Sequence, residues 1–221
     1  MKFVYPQINC VFDTASDKVQ TLIIENQPLL LTLLTDIQAQ LDGLDGKAVL
    51  SESDKLLPLS KHLELLTSFV PFDLNKKALV SKVTAAIEKN AVTAYYAQTA
   101  EMIGALEAFL SKIAFDFSCD ICYPKLTIGS VLKAAGPEIR EDHDSLGEKL
   151  VDYMELVTEF DRKKLFVTLN LRSYISDTEA ALLMQTVLAH GYSLLMLESS
   201  EHPRLPEEQR YIVDQELCEI Q

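Results

Sequence analysis

The chain has 221 residues, 48% of them hydrophobic and 24% charged, enough to bury a core as one large domain or as one domain carrying an insertion. Its formal net charge of −13, from 33 Asp+Glu against 20 Lys+Arg, excludes a surface that is basic throughout, although those cations can still gather on one concave face. The four cysteines, Cys10, Cys119, Cys122 and Cys218, are too few for a disulfide framework. No leader-like start is read, and the apolar runs at 29–34 and 180–188 are broken before they would cross a bilayer, so a reducing cytoplasm and no membrane contact are expected.

Residues 21–25 (TLIIE) form a short β-branched apolar run that reads as a strand, and Asn26 with Pro28 gives an N-cap and an early-turn proline for a helix. That helix carries Leu30, Leu33, Leu34, Ile37 and Leu41 at helical spacing until Gly43 and Gly46 stop it, and residues 48–50 return as a strand. From 74 to 160 the pattern turns helical. Asn75 is placed to cap a helix with Leu79, Val80, Val83 and Ile87; a second stretch holds Met102, Ile103, Leu106, Leu110 and Ile113; a third, opened by Ser145 and Glu148 at capping-box spacing, holds Leu150, Met154, Val157 and Phe160. Residues 164–169 read as a buried strand, Ser176 and Glu179 as a second capping box, 180–189 as an apolar helix ended by Gly191, and 193–197 as a strand. Two strand-helix-strand units predict an α/β fold with a mainly parallel sheet built from 1–73 and 161–221, and a helical insertion over 74–160.

A phosphate-cradling loop needs clustered glycines followed by Lys and a hydroxyl residue, and the seven glycines never approach that spacing. Glu198 follows the strand at 194–197, where nucleotide hydrolases keep a metal-linked acid, but a strand-end carboxylate is more often simply solvated. Cys119 and Cys122 form one Cys-x-x-Cys, without the second pair or the His spacing that a zinc site requires. Ser, His and Asp are present without a Gly-x-Ser-x-Gly elbow, and His62, His143, His190 and His202 read as surface or helix-end residues. Asp116 and Asp120 flank a helix exit in a pattern that calcium accepts when more oxygens join them. The run Glu138, Glu141, Asp142 and Asp144 is a further oxygen source, or a solvated loop. Basic residues come in small groups: Lys55 and Lys61; Lys76, Lys77 and Lys82; Lys133 and Arg140; Arg162, Lys163 and Lys164.

Residues 21–26 (TLIIEN), 72–76 (FDLNK), 132–136 (LKAAG), 163–170 (KKLFVTLN) and 192–198 (YSLLMLE) together resemble, in order and near-spacing, the accessory protein of adaptation in type II-A CRISPR systems. The resemblance implies a head that is a degenerate relative of phosphate-binding-loop folds, with the helical insertion as a leg. It further implies a homotetrameric ring that threads double-stranded DNA ends through a lysine-lined channel, without sequence preference or cutting. Ca²⁺ would hold the ring, and the partners would be the integrase subunits and the RNA-guided effector nuclease. Carried over residue by residue, it assigns Lys133 to DNA contact, with Lys55, Lys61 and Arg140 as further DNA-binding candidates, and Asp116 and Asp120 to the metal. Ser118 and Ile121 stand where further carboxylates belong, and Glu138 and Arg140 reverse the family's basic-then-acidic order. The other readings are a nucleotide-dependent enzyme with a cryptic phosphate site and a protein-binding scaffold subunit.

Overall fold

The computed structural model describes residues 1–14 and 16–220. In chain order it has β1 (Lys2–Val4), β2 (Val11–Asp13), β3 (Val19–Ile24), α1 (Gln27–Leu41), β4 (Val49–Glu52), β5 (Lys55–Leu57), the single turn α2 (Leu59–His62) and β6 (Leu63–Leu66). The helices α3 (Lys77–Val92), α4 (Tyr96–Ala114), α5 (Ile128–Ala135) and α6 (Leu146–Asp161) follow. The chain then returns to β7 (Leu165–Leu169), a 3-10 turn (Leu171–Ser173), α7 (Asp177–His190), β8 (Ser193–Glu198), β9 (Glu208–Val213) and β10 (Glu219–Ile220). These elements form two compact units: Met1–Asp73 with Glu141–Gln221, and Leu74–Arg140.

The first unit is mixed α/β. Its larger sheet has the order β10-β9-β3-β8-β7-β6, parallel throughout except at β10. Every residue of β3 is buried, as a central parallel strand covered on both faces must be. One face presents Leu22, Ile24, Val167, Leu195 and Leu197 to Leu29, Leu33 and Ile37 of α1 and to Phe3, Phe12 and Leu50 of a smaller antiparallel sheet, β2-β1-β4-β5. Register puts Phe166, Leu194, Met196 and Ile23 on the opposite face together with Glu64. The phenol of Tyr153 on α6 donates to Glu64 at 2.6 Å, which fixes α6 there, packed against α7.

β7, α7 and β8 form the parallel unit expected from the sequence, ended where Gly191 takes φ 70°. The unit around α1 differs. The sequence predicts β4, following α1, as a parallel partner of β3, yet β4 pairs antiparallel with β1 and β5 in the smaller sheet, while β3 lies between β8 and β9. The reason lies in burial: β4 buries only Leu50, a one-faced pattern suited to an antiparallel sheet. The hairpin from β4 to β5 turns on Ser53 and Asp54, both at positive φ (48° and 61°), the backbone that a two-residue hairpin turn of matching twist needs. Helix α6, assigned from sequence to the insertion, belongs with the chain ends because it buries Leu150, Tyr153, Met154 and Val157.

Caps show the same mixture. Asn26 Oδ1 accepts from Leu29 N at 3.0 Å as expected. Ser145 and Ser176 each accept from the predicted glutamate N–H at 3.2 Å, but the reciprocal half of each box is spent elsewhere. Glu148 takes Asp144 N, and Glu179 reaches across to Gly147 N in the first turn of α6 at 2.9 Å. Asn75 is not the cap of α3, a position held by Lys76; its amide exchanges hydrogen bonds of 3.0 and 2.7 Å with the backbone of Ile139.

The second unit, α3 to α5, buries little of its own. Leu74 and Leu79 are the buried hydrophobics among its described residues, α4 buries none, and Phe109, Phe115, Phe117, Tyr96 and Met102 are exposed. Among the described residues no helix is long and apolar enough to cross a membrane. Leu33→Ala, in the core against the larger sheet, is expected to cost about 2–5 kcal/mol in urea unfolding. Gly191→Ala meets open space yet keeps a left-handed φ, and is expected to cost roughly 1 kcal/mol.

Candidate functional site

A phosphate contact needs a cation that solvent can reach and that no carboxylate already holds. Lys55, on the edge strand β5, and Lys61, in α2, are exposed, and neither has an ion-pair partner among the described residues. Lys61 does not stand alone. Lys164 N donates to His62 O at 2.8 Å, and Lys163 Nζ donates to Ser60 O at 2.6 Å, so the group at 162–164 is brought against the 60–62 turn. Burial pushes the His62 imidazole below its usual value, and the charges of Lys164, Lys163 and Lys61 push the same way against Glu52. Of these lysines, Lys163 is buried and Lys164 is held by Glu52 at 2.6 Å, which leaves Lys61 as the available charge.

In the second unit Lys133 lies in the last turn of α5 and Arg140 at the unit's end, both exposed. Lys133 lines a groove of about 580 Å³ between α3 and α5 that Lys77 also lines. Asp116 and Asp120 are exposed in the segment after α4, and Asp120 lines a cavity of about 520 Å³ with Phe115, Phe117, Cys119, Cys122 and Tyr123. Calcium takes six to eight oxygens, roughly, and among the described residues no group of three or more His, Cys, Asp or Glu is placed to hold a metal ion. Two carboxylates of one chain therefore do not complete a calcium site. The acidic run is partly committed, Glu141 being paired with Lys149. Cys10, Cys119, Cys122 and Cys218 are all free thiols.

A buried charged cluster begins at the carboxyl end of β8, the side on which open α/β sheets bind ligands, and runs back to Glu208 at the start of β9. Glu198 closes β8 with 1% exposure, and its Oε1 accepts from Arg172 N at 3.2 Å. Arg172 reaches inward to Glu208 at 3.6 Å, to Asp177 at 2.6 Å and to Pro203 O at 3.1 Å. Arg210 pairs with Glu208, which also takes Thr21 Oγ1 at 3.3 Å. Burial drives the Glu198 carboxyl up to about 7, against the pull of the Arg172 N–H and its charge. His202, 3.7 Å from Glu198, is lowered by burial and then by Arg172.

No phosphate cradle accompanies this acid. Between β3 and α1 stand only Glu25 and Asn26, the Asn26 side chain takes the Leu29 N–H, and Pro28 offers no N–H. Of the remaining histidines, His143 pairs with Asp152 at 2.8 Å, and His190 bonds Thr186 O while stacking on Tyr192.

A family model described as "CRISPR-associated protein (Cas_Csn2)" matches residues 40–217. The chain belongs to this Csn2 family. It is also similar, at 24% identity over 156 residues, to a protein of Streptococcus agalactiae named CRISPR-associated protein Csn2, an alignment covering 70% of this chain and 69% of that one. The matched span contains Lys55, Lys61, Asp116, Asp120, Lys133, Arg140 and Glu198, while the landmark at 21–26 precedes it. For this Csn2 chain, sequence reasoning missed Arg172, Glu208 and Arg210, since nothing in local spacing marks an arginine for burial. Lys77 is visible in the sequence only as one of a helix-start group, with no signal that α5 brings Lys133 beside it.

Because Glu198 holds its proton up to about pH 7 when folded and to its ordinary 4.5 when unfolded, it stabilises the fold fully below that lower value. That stability is lost as pH rises through about 7. Glu198→Gln, which stays neutral, is expected to flatten the wild-type decline between these values and to exceed wild type above it. Urea midpoints across a pH series read both effects.

Proposed function

We propose that this chain is an accessory protein of CRISPR spacer acquisition that binds double-stranded DNA ends, without sequence preference, as a homotetrameric ring and performs no covalent chemistry. Membership of the Csn2 family over residues 40–217 carries this reading. The first unit serves as the head, a degenerate relative of phosphate-binding-loop folds, and the segment Leu74–Arg140 as the leg. Integrase subunits and the RNA-guided effector nuclease are its partners in the cytoplasm.

Three features of the chain support the reading. Lys55, Lys61 and Lys133 present exposed ammonium groups without an ion-pair partner among the described residues, and such groups neutralise phosphates and carry no base information. The exposed Phe109, Phe115, Phe117 and Tyr96 of the helical unit supply apolar surface for association of copies. The short junction at Glu25 and Asn26, with the Leu29 N–H taken by Asn26, favours binding over nucleotide turnover, and keeps the nucleotide-dependent enzyme as the weaker alternative. Calcium enters as a shared ion, with Asp116 and Asp120 of one copy joined by oxygens of another.

In gel-shift series the protein is expected to bind linear duplexes more tightly than closed circles, with affinity falling steeply with salt. Lys55→Gln, Lys61→Gln and Lys133→Gln should each lower the slope of log K on log salt by about 0.9 for every phosphate no longer neutralised. Equal binding of both DNA forms would refute the ring, and nucleotide turnover that disappears in Glu198→Gln would favour the enzyme.

Sedimentation should give a tetramer in Ca²⁺ that dissociates in chelator. A calcium-independent monomer would favour a protein-binding scaffold.

A further inference from the structure

We propose that the groove between α3 and the C-terminal end of α5 seats the DNA backbone, and that Lys77 is a phosphate-contacting residue there beside Lys133. The inference rests on the DNA-binding reading and assigns it a place within the helical unit.

Lys77 opens α3 and Lys133 lies in the last turn of α5, far apart in sequence, yet both line one groove of about 580 Å³. The reciprocal hydrogen bonds of Asn75 with Ile139 tie the chain just before α3 to the chain just after α5, which holds these two helix ends together. Both lysines are exposed and neither has an ion-pair partner among the described residues.

The groove also holds two carboxylates, and their positions decide its polarity. Glu88 lies so close to Gly129 that a Cβ there would stand 2.5 Å from its Oε1. Gly129 is in the first turn of α5, the end opposite Lys133, where the helix dipole favours a negative charge, so Glu88 is compensated locally. Glu138 is then the one acid of the groove lining set against two ammonium groups. The hydroxyls of Ser81 and Thr84 donate to Lys77 O and Val80 O, each at 2.7 Å, and are already used. What the groove offers is two strong, mobile cationic donors on an open path. That suits a chain of phosphodiesters better than an enclosed small anion.

The test is fluorescence anisotropy of the whole protein with a linear duplex between about 50 and 200 mM salt. Wild type is compared with Lys77→Gln, Lys77→Arg, Lys77→Gln/Lys133→Gln and the control Lys89→Gln at the other end of α3. Lys77→Gln should lower the salt slope by about 0.9 per phosphate released, the double variant more, with Lys77→Arg and the control near wild type. Unchanged thermal unfolding shows that the fold is kept. A steep wild-type slope that survives in Lys77→Gln and the double variant overturns the groove and leaves the DNA reading standing. No wild-type binding at low salt overturns the DNA reading itself. Displacement of the duplex from wild type by inorganic phosphate beyond chloride of equal ionic strength, absent in Lys77→Gln, identifies a free-anion site and also overturns the proposal.

Discussion

The strand Val19–Ile24 has no partner from its own half of the chain. Its two neighbours, β8 and β9, both come from the other end, and all of its side chains are buried. The larger sheet therefore cannot form until the chain ends meet, and whatever lies between must leave and return. This constraint makes the helical unit Leu74–Arg140 an excursion, and it places α6 and α7, the returning helices, over the sheet face that α1 leaves uncovered. It also fixes where polar residues end up. Thr21, Thr168, Glu198 and Glu208 are buried, and the guanidinium groups of Arg172 and Arg210 bring positive charge among the carboxylates. Where burial outweighs that compensation a carboxyl holds its proton more tightly, as Glu198 does despite Arg172.

An acidic chain with few cations must then divide them. Arg172 and Arg210 serve the interior; Lys163 holds the carbonyl of Ser60; Lys149 and Lys164 answer Glu141 and Glu52. Lys55, Lys61, Lys77 and Lys133 are among the cations left uncommitted. Net charge describes the sum of these roles, and the sum says little about any one surface.

Much of this is legible in the sequence where local chemistry decides. The β-branched run at 21–25, the Asn26 cap with Pro28, the apolar helix before Gly191 and the strand after it all act through neighbours in sequence, and they stand where the pattern puts them. The pairing of β4 is not legible, because a strand of four residues carries no mark of its partner. Neither is the use of Asn75, whose amide suits a cap until Ile139 arrives with a better-matched pair of backbone groups. Strands β1, β2, β5, β6 and β10 have two to four residues each, too few to declare a period. For the site, residue type is visible and convergence is not: Lys77 and Lys133 each look like ordinary helix-end lysines until the fold sets them in one groove.

The seat of chemistry in many α/β folds is the crevice at the carboxyl ends of the strands, and here several of the polar groups at those ends are spent on the chain itself. Asn26 spends its side chain on Leu29 N and Gln215 O; Asn170 takes Ser199 N at 2.8 Å; Arg172 holds Pro203 O and Asp177. Each of these groups is one that an open site would turn toward a ligand. With them paired within the chain, these groups belong to the scaffold, and the charge left exposed is that of lysines such as Lys55, Lys61, Lys77 and Lys133. On the proposed DNA-binding reading such lysines would hold a polyanion through many weak contacts, which favours a large, repeated surface over a small pocket. On that same reading, the aromatic side chains that the helical unit leaves exposed are the surface through which several copies would associate.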